Sequence, residues 1–317
     1  MNNIVERIIR GERLSAQEAL QITRCETIEN LGKATSELRT HFHQNHFDSC
    51  SIMNARSGKC TEDCKWCSQS KYFATKIETY PLTDSPTAIT HALDNHTKGI
   101  RRFALVTSGR TMTDRQVREV CKIYNDIRQE CSISLCASMG LLNESQLVCL
   151  KEAGVSRYHC NIETAPSFFP TLCSTHTQEE KLETIRSAQR LGMSICSGGI
   201  IGMGETLEQR VEMAIYIRDI VKADSVPVNV LNPIVGTPLE GQTALSDEEL
   251  LRSFAMFRLV MPDKHIRFAG GRTLFSHLTE TLLRGGVSGA IMGDLLTTIG
   301  ASVEQDKQML HRLGLQM

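Results

Sequence analysis

The hydrophobic pattern changes character near residue 50. Before it, apolar positions recur at helical spacing, and residues 1–48 read as helices. Ser15-Ala16-Gln17-Glu18 has the form of a capping box, with Ser15 as N-cap and Glu18 at N3. A second amphipathic helix is expected over roughly 27–44. No catalytic constellation falls in this segment, which is expected to pack against the rest as an N-terminal helical extension. From residue 50 onward, short apolar or β-branched runs alternate with amphipathic stretches. Strands are expected near 51–56, 101–107, 132–138, 157–162, 193–200, 225–231, 265–269 and 288–292. Helices are expected between them, over 114–129, 144–153, 177–191, 207–221 and 247–260. Such alternation predicts a parallel sheet in an α/β protein. Eight units over about 250 residues fit a (β/α)8 TIM-type barrel with a C-terminal extension, spanning 49–317. A six-unit open barrel is the other arrangement, because the last two strand signals are short.

Barrels of this kind bind ligands at the C-terminal ends of their strands. The chemically distinctive residues fall there. Cys60, Cys64 and Cys67 follow the first strand, and Cys136 lies late in the third. Cys160 and Asn161 end the fourth, Cys196 lies in the fifth, Asn229 in the sixth and Arg267 in the seventh. Taken singly, each cysteine is as well explained as a core thiol. Together they converge on one barrel mouth.

Composition narrows the class. A chain of 317 residues with 41% hydrophobic and 22% charged content is ordinary for a globular protein. A net charge of −1 gives no electrostatic case for nucleic acid or an anionic membrane. No apolar run approaches the roughly 18 residues of a membrane span. The N-terminus carries charges where a signal peptide needs an apolar run, so a cytoplasmic location is expected. Twelve cysteines in a reducing compartment read as metal or cluster ligands where they gather. Cys25, Cys121, Cys149 and Cys173 read instead as small buried hydrophobes or inert surface thiols.

The densest chemistry is Cys60-Thr61-Glu62-Asp63-Cys64-Lys65-Trp66-Cys67, a C-x3-C-x2-C spacing. Two metal centres suit it. One is a zinc site completed by a fourth ligand from elsewhere. The other is an iron–sulfur cube in which three thiolates leave one iron open. The run Gly198–Glu205 lacks the Gly-Lys-Ser/Thr ending of a phosphate-binding loop. It fits Gly-x-Ile-x-Gly-x-x-Glu, through Gly198, Ile200, Gly202 and Glu205.

The cysteine triplet, with Trp66 just before Cys67, resembles the signature of the radical S-adenosylmethionine (SAM) superfamily. Longer stretches resemble one family within it, biotin synthase. They are Ser57 to Ser70, Cys196 to Gly202, Ser225 to Leu231, Ile266 to Arg272, and Gly293-Asp294-Leu295-Leu296-Thr297-Thr298. The resemblance implies a [4Fe–4S] cluster on Cys60, Cys64 and Cys67, with SAM on its open iron. It implies reductive cleavage of SAM and hydrogen abstraction from dethiobiotin, with sulfur supplied by a second, deeper cluster. It further implies a low-potential electron donor of flavodoxin or ferredoxin type, and a homodimer. Around SAM it points to Thr107, Ser108, Gly109, Asn161, Glu163, His176, Ile200 and Glu205, and around the substrate to Asn161 and Asn229.

The sequence also departs from the family. The deeper cluster is usually a [2Fe–2S] centre held by cysteines of the second, third and fifth strands and an arginine of the seventh. Cys136, Cys196 and Arg267 match, but the second-strand position is Ala104. Where the fourth strand usually reads Tyr-Asn-His-Asn, this chain reads Tyr158-His159-Cys160-Asn161. The expectation is an auxiliary cluster rebuilt on Cys136, Cys160 and Cys196, with Arg267 or an exogenous sulfide at its remaining site. Four irons are favoured over two. The alternative is that the second cluster is lost. Glu163 stands where the family usually has aspartate, and His176 where it has arginine. Rival readings are a maturase- or mutase-type radical SAM enzyme without sulfur insertion, or a non-enzymatic iron–sulfur or zinc protein.

Overall fold

A computed structural model describes residues 1–293 and 302–317. The stretch 294–298, quoted above for its resemblance, lies outside the described residues. The strands are β1 (Asp48–Arg56), β2 (Arg102–Thr107), β3 (Ser134–Ser138), β4 (Val155–His159), β5 (Ser194–Cys196), β6 (Gly199–Ile201), β7 (Ser225–Val230), β8 (His265–Phe268) and β9 (Gly289–Ile291). All pair in parallel, and β9 pairs back onto β1, so the sheet closes. β5 and β6 both pair with β7 and together form one stave. The result is an eight-stave barrel wrapped by helices, and the six-unit alternative is set aside.

The single strand expected over 193–200 breaks at Ser197-Gly198 for a local reason. Pro227, in the middle of β7, has no N–H to give the ladder. Gly198 packs so close that an added Cβ would come within 2.0 Å of the Pro227 carbonyl oxygen. Only glycine fits there.

The interior is layered by the register. Crossing two staves along the hydrogen-bonded partners lowers the position by two residues. Cys50 pairs with Arg102 and Arg102 with Ser134, so Cys136 stands level with Cys50. Cys136 pairs with Arg157 and Arg157 with Ser194, so Cys196 is level with both. Cys196 leads through Ser225 to His265, which brings Arg267 to the same height. Arg267 leads through Gly289 to Asp48, and two residues up is Cys50 again. Alternate staves therefore supply one four-membered layer, as barrel packing requires.

Three helices, Asn2–Ile9, Ala16–Cys25 and Ile28–His43, precede β1. The capping box forms: Glu18 N donates to Ser15 Oγ at 3.2 Å and Ser15 N to Glu18 Oε2 at 2.9 Å. The last two lie against the helix Asp247–Val260, where Arg252 Nη1 donates to the Thr23 and Glu26 carbonyls at 2.7 and 2.8 Å.

Below the Cys50 layer sits a buried ion network. Asp48 accepts from Arg157 Nη1 at 3.0 Å, from Arg102 Nε at 3.3 Å and from Arg267 Nη2. Burial opposes ionisation of Asp48, but Arg267 and then Arg157 hold its carboxyl well below the usual range. Removing one charge from such a network strands the others in low dielectric, at a cost of about 3–5 kcal/mol. Asp48→Asn should therefore lower the unfolding free energy of the cluster-free chain by about that amount in urea titration. A change within about 0.5 kcal/mol would contradict a network that depends on the carboxylate.

Candidate functional site

The C-terminal ends of the staves open into a cavity of about 420 Å3. Its wall includes Cys60, Cys64 and Cys67, with Thr107 to Gly109, Asn161, Glu163, His176, Ile200 and Asn229. Most residues expected at the site, Cys160 among them, border this one space, whereas Cys136, Cys196, Glu205 and Arg267 do not.

The cysteine loop is folded by its own backbone. Gly58 and Lys59 are both left-handed, at φ 76° and 54°, and turn the chain out of β1. Cys60 N then donates to the Gln69 carbonyl at 2.9 Å and Lys71 N to the Cys60 carbonyl at 2.8 Å, closing the loop. Cys67 N donates to the Cys64 carbonyl at 2.9 Å. Cys60 and Cys64 are buried and Cys67 is half-buried, so three thiols face a shielded volume. Burial pushes the Cys67 thiol up to about 11, which favours ionisation only where a cation accepts the thiolate. This donor set fits a thiolate-held iron–sulfur cluster. Thr107 Oγ1, buried in the same wall without a hydrogen-bond partner, fits a polar ligand beside it.

Cys173 was expected to be inert and is not placed so. Its Sγ lies 3.7 Å from Cys64 Sγ and 3.3 Å from His176 Nδ1. His176 Nδ1 is also 2.6 Å from Glu62 Oε2, so the His176 ring is held by groups of the cysteine loop. Asp63 accepts from Ser174 N at 2.9 Å and Thr175 N at 3.2 Å, which fastens the 173–176 turn to that loop. Proximity in space, not spacing in sequence, reveals Cys173.

In the same cavity wall, Glu163 is left-handed at φ 71°, a conformation costing a side-chain-bearing residue about 1–3 kcal/mol. The bend is fixed by Glu163 N to the Gly198 carbonyl at 3.2 Å and Ile200 N to the Glu163 carbonyl at 2.7 Å. Burial pushes the Glu163 carboxyl up, opposed by Lys181, whose Nζ is 3.6 Å from Oε1. Asn161 Oδ1 accepts from Gly198 N at 3.1 Å. Asn229 Oδ1 accepts from Gly270 N at 2.8 Å and its Nδ2 donates to the Gly199 carbonyl at 3.1 Å, which fixes the plane of the amide.

Two expected contacts are redirected. The Ser108 carbonyl already accepts from Arg56 Nε at 2.9 Å, and Ser108 Oγ donates to the Gly58 carbonyl at 2.8 Å. Ser108 thus ties β2 to the cysteine loop. Glu205 is fully buried away from the cavity. It accepts from Gly202 N at 2.7 Å, Met203 N at 2.8 Å and Arg210 Nε at 2.7 Å. Its charge closes the turn that carries Ile200 to the wall.

Beneath the mouth lies the layer of Cys136, Cys196 and Arg267. Cys160 is not brought to it. Side chains alternate along β4, so Arg157 and His159 point inward and Tyr158 outward, while Cys160, just past the end of the strand, borders the mouth cavity above that layer. Cys160 Sγ is 4.0 Å from the Lys181 carbonyl, in the apolar layer under the helix Gln178–Arg190. His159 takes the inward place. Burial would lower its pKa, but Cys196 and Cys136 raise it to about 9. Burial likewise raises Cys196, yet His159 and Arg267 bring it to about 6. Nothing in the local sequence marks His159, because Cys136 and Cys196 beside it come from other strands.

A parallel barrel with three loop cysteines at its mouth defines a radical SAM protein, and residues 55–217 match the Radical SAM superfamily. Residues 227–316 match the Biotin and Thiamin Synthesis associated domain. The chain is 46% identical to the biotin synthase of Clostridium botulinum strain Alaska E43, covering 98% of each. It is 47% identical to that of Porphyromonas gingivalis, covering all of this chain and 96% of the relative. It belongs to the biotin synthase family. Among solved structures, methylornithine synthase (PylB) superposes with a TM-score of 0.83 at 18% identity, over 99% of this chain and 96% of its own. The maturase HydG from Carboxydothermus hydrogenoformans gives 0.82 at 18%, over 99% and 78%. At that identity the likeness is one of fold. Among the described residues, no helix is long and apolar enough to cross a membrane.

Because Glu205 works within the turn, Glu205→Gln should cost about 1.5–3 kcal/mol of stability through its weakened charged hydrogen bonds. SAM binding by equilibrium dialysis at a temperature where the variant stays folded should change less than about threefold, under 1 kcal/mol. A tenfold weaker SAM affinity in a fully folded variant would return Glu205 to the binding site.

Proposed function

We propose that this chain converts dethiobiotin to biotin, by SAM-dependent radical insertion of sulfur. The observation that carries the reading is the presence of thiols at two depths of one barrel. Cys60, Cys64 and Cys67 line its mouth, and Cys136 and Cys196 lie in a buried layer beneath.

When bound, a [4Fe–4S] cluster with SAM supplies one-electron cleavage and hydrogen abstraction, and an auxiliary iron–sulfur cluster, for which four irons are favoured over two, supplies sulfur. The chain's own residues position the reactants. Cys60, Cys64 and Cys67 are the thiolates of the mouth site and leave one metal position free of protein. Glu163 accepts from the ribose hydroxyls, and Lys181 opposes the upward push of burial on its carboxyl. Ile200 gives an apolar face to the adenine, while Thr107 and His176 offer polar groups beside it. The oriented amide of Asn229 recognises the ureido ring, with Asn161 across the same cavity. Trp66, Ile200 and Leu231 line the mouth with apolar surface, which keeps water from the reacting centre. The family resemblance supports a flavodoxin- or ferredoxin-type donor and a homodimer. Twelve free thiols suit the reducing cytoplasm.

The test is anaerobic turnover of reconstituted protein with SAM, dethiobiotin and a low-potential reductant. Biotin and 5′-deoxyadenosine should both form, and Cys60→Ala/Cys64→Ala/Cys67→Ala should abolish both. SAM cleavage without a sulfur-containing product would favour a maturase- or mutase-type reaction, and no cleavage would favour a non-enzymatic metal protein. Lys181→Met removes the main group opposing burial at the Glu163 carboxyl and leaves only His176 against it, so its pKa rises further. SAM should then bind about tenfold more weakly at pH 7, equivalent to about 1.4 kcal/mol. Lowering the pH should weaken binding earlier than in the parent, since protonation removes the acceptor charge. Identical pH profiles would remove Lys181 from this role.

A further inference from the structure

We propose that Cys50 is the third thiolate of the deep auxiliary site, completing a ligand layer with Cys136, Cys196 and Arg267 in place of the thiolate that Ala104 cannot provide. The inference rests on the sulfur-insertion reading above, and assigns this chain's own residues to its second cluster.

The strand register carries it. Cys50, Cys136, Cys196 and Arg267 come from the first, third, fifth and seventh staves and lie at one height. A layer of four side chains from alternate staves meets at the barrel axis. Cys50, Cys136 and Arg267 are 0% exposed and Cys196 is 1%. Asp48, two residues before Cys50 on the same strand, faces the barrel interior, where it meets Arg157 and Arg267, so the Cys50 side chain faces the interior too. Cys160 lies instead past the end of β4 at the mouth cavity, with its Sγ 4.0 Å from the Lys181 carbonyl. Ala104, level with the layer above, pairs with Cys136 on the adjacent stave. The lost thiolate is thus replaced one stave away and one layer lower.

Unsatisfied polar atoms mark the same place. Arg267 Nε donates to Ser225 Oγ at 2.7 Å and Nη2 to Asp48, but buried Nη1 has no partner. His159 Nε2, in the layer above the thiols, is also buried without one. A buried guanidinium nitrogen left bare is costly unless a ligand satisfies it. The charge balance agrees. Arg157 beneath the thiols and Arg267 level with them share the single carboxylate of Asp48 with Arg102, a cationic surplus suited to an anionic thiolate cluster.

The experiment uses full-length Cys60→Ala/Cys64→Ala/Cys67→Ala protein, reconstituted anaerobically with iron and sulfide, so that only the deep site can hold a cluster. Iron and sulfide per chain and the Mössbauer spectrum are read, with far-UV circular dichroism reporting the fold. The parent should retain one cluster. Adding Cys50→Ser should remove at least half of that iron, and adding Cys160→Ser should leave it unchanged. Where Cys50→Ser disturbs folding, Cys50→Ser/Ala104→Cys is the second variant: it returns a thiolate beside Cys136 and should regain the iron. Loss of iron on changing Cys160 but not Cys50 overturns the assignment and leaves the sulfur-donor reading intact. Iron retained in both single additions also overturns it. An iron-free parent overturns the deep site altogether and, with it, the sulfur source of the proposed reaction.

Discussion

The buried carboxylate of Asp48 is the constraint on which the barrel's interior depends. Arg157 and Arg267 enter the interior from opposite sides of the barrel, and neither can be buried unpaired without a penalty of several kcal/mol. Asp48 joins them across the axis. In doing so it sets the direction of the Arg267 side chain, with Ser225 fixing Nε. Only then does Nη1 remain to meet whatever the thiol layer holds. A buried ion network is a poor source of stability by itself. Here it converts a packed barrel centre into a cationic floor beneath three cysteines.

Above that floor the site is built mainly by strained or glycine-dependent backbone. The left-handed Glu163 and the close approach of Gly198 to Pro227 belong to one device, since Glu163 N bonds to the Gly198 carbonyl. A stave that ran unbroken through 197–198 would leave no inward bend for Glu163 and Ile200. Glu205 belongs to the same device from behind, neutralising the amides of the turn and pairing with Arg210. The mouth therefore gets part of its geometry from Gly198 and Glu205, which do not line it.

Much of this was legible in the sequence, and the rest failed for identifiable physical reasons. The alternation of apolar runs and amphipathic stretches specified the barrel, because parallel strands need crossover helices. The Cys60 loop was legible because its three cysteines are local in sequence. Glu205 was misjudged because a motif position does not say whether a carboxylate faces ligand or backbone amides. Cys173 and His159 were missed because their partners are distant in the chain: Cys64 lies 109 residues before Cys173. Cys50 was lost to a boundary. With the first strand expected to begin at 51, the residue just before it had no facing assigned, whereas β1 begins at Asp48 and Cys50 points inward.

The contrast between Cys50 and Cys160 makes a general point about compensating substitutions. In sequence, Cys160 is the natural substitute, since it appears within the altered fourth-strand tetrapeptide and near the barrel mouth. In a barrel, however, the side-chain period of two decides facing before chemistry is considered. A one-residue offset turns a thiol away from the axis, and Cys160 lies past the end of β4 at the mouth cavity, beside the Lys181 carbonyl. Height matters next, and it is set by the tilt that shifts the register by one residue per stave. Cys50 satisfies both conditions relative to Cys136 and Cys196, although it is 86 residues from one of them in number and shares no motif with either. A thiolate lost at one stave is replaceable at a neighbouring stave whose side chain faces the axis at the height of the remaining thiols. The place to look for it is the register, not the neighbourhood of the lost residue.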